Sequence, residues 1–247
     1  MPLNLLPFLA AAALGGLALR PLPAEAQPRE GQRPAARAQD NGCWGVRPGD
    51  DTFEAATVGR DSARLFFRSR PDASAEPGRA FLTPGDVVVI SRREGGFACA
   101  TYLNTRRRLT SGWLPASALE PLAPPATAAP EAWQGSWYGA QAYEQEIDIS
   151  VEGQGLRIGG SASWGSDDPA RVERGGVNIG SLAAEARPSG AQMGFSSDGE
   201  RSRAYAEGGP DSCRVRMQLL GPYLVVQDNL RCGGMNVTFS GLYRRAG

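Results

Sequence analysis

The chain is predicted to be all-β and to consist of two successive antiparallel blocks. Three observations lead there. Apolar residues alternate over short runs and do not recur at the three- and four-residue spacing of a helix. Glycine is abundant, 32 of 247 residues, and falls largely between those runs, where turns belong. A segment with four prolines in twelve residues, 121–132 (PLAPPATAAPEA), divides the apolar runs into two groups.

In the first group, Pro84-Gly85-Asp86 forms a turn that leads into a strand at 87–90, and residues 97–102 alternate as a second strand. In the second group, residues 133–138 open the block. Ile147, Ile149 and Val151 share one strand face, which leaves Asp148 pointing to solvent. Leu156/Ile158, Val177/Ile179 and Met193/Phe195 mark shorter strands. Cys213, Val215, Met217 and Leu219 alternate, Gly221-Pro222 turns, and residues 223–228 return antiparallel. Val237, Phe239 and Tyr243 share the face of a closing strand. That makes about eight strands, and a barrel or sandwich is expected because closure removes exposed strand edges. The helix candidates are residues 181–187 and a short turn at 115–119.

These elements set the expected boundaries: a first domain over 42–120 and a second over 133–247. The 121–132 segment is expected to act as a semi-rigid, extended spacer. Residues 27–41, rich in Pro, Ala and Arg without periodic apolar positions, are expected to be disordered or extended.

The first 26 residues have the pattern of a secretory signal. Residues 5–19 are apolar, broken by Pro7 and Gly15-Gly16, and Ala24-Glu25-Ala26 supplies a small-x-small cleavage site. The run is shorter than the ~20 residues needed to span a bilayer, and no later segment is long enough to do so. A periplasmic or secreted location follows as the expectation.

Composition narrows the chemistry. The chain has no histidine and no lysine, so all 26 basic residues are arginine, balanced by 26 acids. Arginine stays protonated and is no general base near neutrality, and histidine is the usual partner of a nucleophilic serine or cysteine. Neutral balance argues against nucleic acid as the main partner. Arg106-Arg107-Arg108 is the one basic cluster and reads as a solvated hairpin tip. Gly135-Ser136 and Ser196-Ser197 lack a nucleophile elbow. Gly175-Gly176 and Gly233-Gly234 lack the residues of a phosphate loop. The acid pairs Asp50-Asp51 and Asp167-Asp168 sit where carboxylates cap or solvate turns. No catalytic residue, metal site or cofactor is expected.

Four cysteines in an exported chain predict disulfides, with three possible pairings. Cys43–Cys99 and Cys213–Cys232 keep each bond inside one expected domain. Counting back across the Gly221-Pro222 turn also sets residue 213 opposite positions near 230. Cys232 comes within reach if residues 229–231 bend inward.

Residues 65–121 resemble a bacterial SH3 (SH3b) domain. Leu65-Phe66-Phe67-Arg68-Ser69 with Pro71-Asp72-Ala73-Ser74 is similar to that family's first strand and turn. Pro84-Gly85-Asp86 before residues 87–90 is similar to its G-D-x-V-x-V strand. Gly112-Trp113-Leu114-Pro115 with Ala118-Leu119 is similar to its closing G-W-V signature. Phe97 stands where the family usually has tryptophan, and 104–111 is a longer excursion. The resemblance implies an SH3-like barrel that binds cell-wall peptides or other envelope components, with Phe67, Arg68, Phe97, Tyr102 and Trp113 as ligand-binding candidates. In the second block, Trp133-Gln134-Gly135-Ser136-Trp137-Tyr138 is similar to the G-x-W opening of small calycin barrels.

The expected protein is a non-catalytic, exported envelope-binding protein that engages peptidoglycan or a periplasmic protein through the first domain. A lysozyme or protease inhibitor acting through the second barrel is the alternative, and a structural or assembly factor a third reading.

Overall fold

A computed structural model of the chain describes residues 42–47, 52–61, 63–125, 128–140, 145–199 and 201–246. The export run 1–26, the polar segment 27–41 and the Asp50-Asp51 pair lie outside the described residues. The chain is all-β, as predicted, in two antiparallel sheets.

The first sheet comprises β1 (Glu54–Val58), β2 (Leu65–Arg68), β3 (Pro77–Leu82), β4 (Val87–Glu94), β5 (Phe97–Leu103), β6 (Leu109–Pro115) and β7 (Leu119–Leu122). Its spatial order is β3-β2-β6-β5-β4-β1-β7. Every strand sends a side chain into one apolar cluster: Val58, Phe67, Leu82, Val88, Ala100, Leu114 and Leu119. A sheet whose two edges feed the same cluster is rolled around it. The turn predicted at 115–119 is a 3-10 turn over Ala116–Ala118. β7 runs through Pro121 and Leu122, which pair with Ala56 and Ala55 of β1, so the sheet extends into the proline-rich segment.

The second sheet has nine strands, against about eight expected: β8 (Gly135–Gly139), β9 (Gln145–Glu152), β10 (Gly155–Trp164), β11 (Asn178–Ala186), β12 (Gln192–Ser197), β13 (Ser202–Ala204), β14 (Cys213–Leu220), β15 (Tyr223–Asp228) and β16 (Gly241–Arg245). The order β11-β10-β9-β8-β16-β15-β14-β12-β13 makes a nearly closed barrel. Hydrogen bonds cross the gap: the Glu185 N–H donates to Ser202 Oγ (2.9 Å), and the Ser197 hydroxyl donates to the Ala183 carbonyl (3.2 Å). The interior is filled by large side chains, Trp133, Trp137, Phe195, Phe239 and Tyr243 among them.

Two local expectations are corrected. Residues 181–187 are not a helix, because 178–186 form β11 and pair along their whole length with β10. Leu182 and Ala184 point inward while Ala183 and Glu185 face out, so strand pairing overrides the local helix preference of Ala and Glu. Among the described residues the α-helix that does form is α1 (Pro169–Glu173), opened by proline at its first position. The Asp168 carboxylate accepts from the Ala170 N–H (2.9 Å) and Arg171 N–H (3.4 Å). The closing strand starts only at Gly241. Residues 237–240 are irregular, although Val237 and Phe239 are buried as expected.

The described residues belong to one compact unit, in which the two sheets share an apolar cluster. Ala55, Val89 and Leu103 of the first meet Leu220, Tyr223, Val225 and Leu242 of the second. β4 is therefore buried on both faces, with Val88 and Ile90 in the first core and Val89 at the shared cluster. β15 behaves the same way: Leu224 and Val226 lie in the barrel, Tyr223 and Val225 at the shared cluster. The buried Tyr223 hydroxyl donates to the Val87 carbonyl (2.8 Å) and lies 3.2 Å from the Leu103 carbonyl. From Arg244, Nη1 donates to the same Leu103 carbonyl at 2.9 Å.

Both disulfides form as predicted, Cys43–Cys99 and Cys213–Cys232. Val215 faces Asp228, which places 213 opposite 230. Leu230 then adopts a positive φ of 59° and turns the chain so that Cys232 reaches back. Beyond it, Gly233 crosses Gly180 so closely that a Cβ on Gly233 would lie 2.7 Å from the Gly180 Cα. The Cys213–Cys232 bond spans 19 residues. For a loop of that length, a C213A/C232A variant is expected to lose about 3 kcal/mol, measured by urea unfolding. An unchanged midpoint would show that the 229–236 loop is held without it.

Candidate functional site

The five ligand candidates do not gather at one surface. Phe67 is a core residue of the first sheet at 5 % exposure. Trp113 is fully buried, packed with Cys43 and Cys99, and the half-buried Phe97 lies against that group. The Arg68 guanidinium is taken up locally, donating to the Ala73 carbonyl (3.2 Å) and to the Ala75 carbonyl. Tyr102 sits on the same strand as Phe97 but donates its hydroxyl to Asp86 Oδ1 (3.0 Å). Partial burial and that bond raise its pKa above the ordinary phenol value. Phe97 and Trp113 thus flank a disulfide, and Tyr102 belongs to a separate contact.

Two of the carboxylates make local contacts. Asp168 caps α1 and lies 3.5 Å from Arg171. Asp148 is exposed, as expected, and accepts from the Ser136 hydroxyl. Among the described residues, no three His, Cys, Asp or Glu side chains group as metal ligands.

A different set of residues does converge. The β5–β6 hairpin tip leans toward the edge of the barrel where β8 and β16 pair. Between them lies a cavity of about 1010 Å³, lined in part by Arg107, Leu122, Pro125, Trp137, Tyr138, Leu219, Pro222, Arg244 and Arg245. Strand register sets the rows: Tyr138, Arg244 and the buried Tyr223 stand in one row across β8, β16 and β15, and Trp137 is paired with Arg245 in the next row. Successive residues of a strand face opposite sides. Arg244 therefore faces the first sheet, while Arg245 folds over the barrel mouth.

Each arginine lies on a ring. The Arg107 guanidinium is 5.3 Å from the Tyr138 centroid, Arg245 4.6 Å from Trp137, and Arg244 5.6 Å from Tyr223. Such cation–π contacts fix the plane of the guanidinium and leave its N–H edge for an oxyanion. Backbone carbonyls take one donor from two of them: Leu103 from Arg244 and Ala132 from Arg245. Among the described lining residues there is no aspartate or glutamate. Outside the lining, Glu146 accepts from the Tyr138 hydroxyl, a bond that raises the tyrosine pKa, and Asp86 accepts from the Tyr102 hydroxyl.

The sequence signals for this site were present but read otherwise. The triple arginine is indeed a hairpin tip, bent by a positive φ of 59° at Arg107 and organised by Asn104 Oδ1, which accepts from the Arg106 and Arg108 N–H groups at 2.9 Å. Its middle member nevertheless crosses to the other sheet. Arg244 and Arg245 follow Tyr243 in the closing strand β16, where no local pattern reveals which faces they use.

With no histidine or lysine and no free cysteine, few groups titrate between pH ~6 and ~9. Unfolding free energy is expected to be nearly flat there and to fall above pH 10. Burial raises the Tyr223 hydroxyl to about 12 and Tyr243 well above the ordinary phenol value. Above pH 10 the unfolded chain releases protons that the folded state keeps, so stability declines as pH rises toward 12. Tyr223 accounts for about 2–3 kcal/mol of that decline. Urea midpoints from pH 6 to 11.5 would check it, and a steep change near pH 7 would contradict it.

Comparison with protein-family models, curated proteins and solved structures finds no match for this chain.

Proposed function

We propose that the protein is a non-catalytic, exported envelope-binding protein. In this reading the first sheet is an SH3b-type module, and an anionic envelope component sits in the cleft where its hairpin tip meets the barrel. One observation carries the reading: three ring-stacked guanidiniums line a single cavity with no carboxylate among its described lining residues. Like charges gathered in one cavity repel each other, and a multiply charged oxyanion relieves that repulsion while taking the remaining N–H donors. Two disulfides are the usual mark of an oxidising compartment. No helix among the described residues is long and apolar enough to cross a membrane.

Titration with inorganic pyrophosphate at low salt, followed by calorimetry, tests this. Saturable binding is expected, and R107A/R245A should weaken it at least about tenfold. Both residues are exposed, so the melting temperature should fall by only a few degrees, about what the lost stacking and one hydrogen bond cost. Absence of binding by the wild type, or equal binding by the variant, would sink the reading.

A second reading, an inhibitor acting through the barrel, has its own observation. The loop stapled by Cys213–Cys232 carries Leu230 and Met235 at 55 % and 78 % exposure, beside Ile179 at 73 %. A fixed convex loop with large apolar tips suits insertion into a partner's cleft. A cell-wall lysis assay with added protein separates the two, because only the inhibitor reading expects protection, lost in M235S.

A further inference from the structure

We infer, resting on the anion-binding reading of the cleft, that its ligand is an amphiphile with a phosphate head and an apolar chain. Charge and volume point to it together. A carboxylate, with one charge and two oxygens, is satisfied by a single guanidinium fork. Arg107, Arg244 and Arg245 present three forks, each oriented by a ring and at most partly used by the backbone. A phosphate carries up to two charges and three terminal oxygens, so it can engage several forks at once. Register sets where they stand: Arg107 and Arg244 belong to the Tyr138 row, and Arg245, on the opposite face of β16 over Trp137, lines the same cavity.

A phosphate alone leaves most of the space unfilled. The cavity is about 1010 Å³, the upper end of the ~300–1,000 Å³ range that suits drug-sized organic ligands. The lining away from the arginines is largely apolar: Leu122 ends β7 and Pro125 follows it, Leu219 lies on β14, and Pro222 is in the β14–β15 turn. This wall adjoins the charged row, because Pro222 immediately precedes Tyr223, which stands opposite Arg244. A ligand made only of charge gains nothing from that wall. A chain attached to the phosphate covers it and gains the hydrophobic term for each methylene buried. Head and chain therefore match the charged and the apolar parts of one lining.

Three probes decide it, each titrated below its micelle concentration and followed by calorimetry: a short-chain lysophosphatidic acid, glycerol 3-phosphate and the matching monoacylglycerol. The lysophosphatidic acid is expected to bind at least about 100-fold more tightly than glycerol phosphate, since a few buried methylenes suffice for that factor. R107A/R245A should weaken it at least about tenfold, and P125S/P222S should remove most of the chain's advantage while glycerol phosphate binding stays unchanged. If glycerol phosphate binds as tightly as the lipid, and both fall in the arginine variant, the cleft takes a free anion. The amphiphile is then wrong and the anion-binding reading stands. If neither phosphate binds, or the arginine variant matches wild type, the anion-binding reading fails with it. Monoacylglycerol binding as tightly as its phosphorylated counterpart would also overturn the inference.

Discussion

Replacing Tyr223 by alanine is expected to lower the unfolding free energy by about 5 kcal/mol, combining a ring-sized cavity with a lost buried hydrogen bond. Tyr223 is fully buried at the cluster shared by the two sheets, and its hydroxyl reaches the Val87 and Leu103 carbonyls across it. The loss should appear as a fall in melting temperature of about 10–20 °C for a chain of this size. Y223F keeps the ring and removes only the hydroxyl, so it should cost about 1 kcal/mol. A second consequence distinguishes an interface residue from an ordinary core residue. The shared cluster couples the sheets, so the wild type is expected to unfold in one transition and Y223A to broaden or split it. A variant that unfolds in one transition at the wild-type midpoint would show that Tyr223 does not join them.

That coupling was legible only in part. The run at 87–90 and the run at 223–226 are each four consecutive apolar residues, and both form strands as expected. Alternation describes a strand with one buried face, whereas an unbroken apolar run describes one buried on both. Read that way, the two runs already marked β4 and β15 as the strands covered on their second face. What they did not disclose is that they cover each other, because Tyr223 and Val87 lie 136 residues apart and no local pattern encodes the match. The cleft was hidden for a related reason. Arg244 and Arg245 are neighbours in sequence but face opposite sides of β16, and Arg107 joins them only after the whole fold has formed. The disulfide at Cys213 could be read because its geometry depends on one hairpin, where counting residues across a turn is enough. β11 could not, because pairing with β10 decided it against the preference of its own alanines and glutamate.

Asp228→Ala is expected to cost about 4 kcal/mol, because it strips the acceptor from three buried donors at once. Asp228 is 5 % exposed and ends β15. Its Oδ1 accepts from the Thr238 and Ser240 hydroxyls, both at 2.6 Å, and its Oδ2 accepts from the Phe239 N–H at 3.2 Å. The hydroxyls are used twice: Ser240 Oγ also accepts the Asp228 N–H (2.9 Å), and Thr238 Oγ1 accepts the Ser240 N–H (2.9 Å). This closed network explains how 237–240 can be buried without strand pairing, since buried backbone groups need partners whatever the secondary structure. It also sets the path into β16. Phe239 is held in the barrel core, its carbonyl accepts from the buried Tyr243 hydroxyl (2.8 Å), and the next two residues are the cleft arginines. D228N keeps the volume but turns an acceptor into a donor that faces other donors, so about half of the loss should remain, roughly 2 kcal/mol. Because D228N leaves the arginines in place, it should still weaken binding at the cleft, by less than R107A/R245A does, through the altered course of β16. Urea unfolding and pyrophosphate titration of the same variant read the two effects. Full stability in D228A would mean that the three donors find other partners and that the network does not direct the chain into the site.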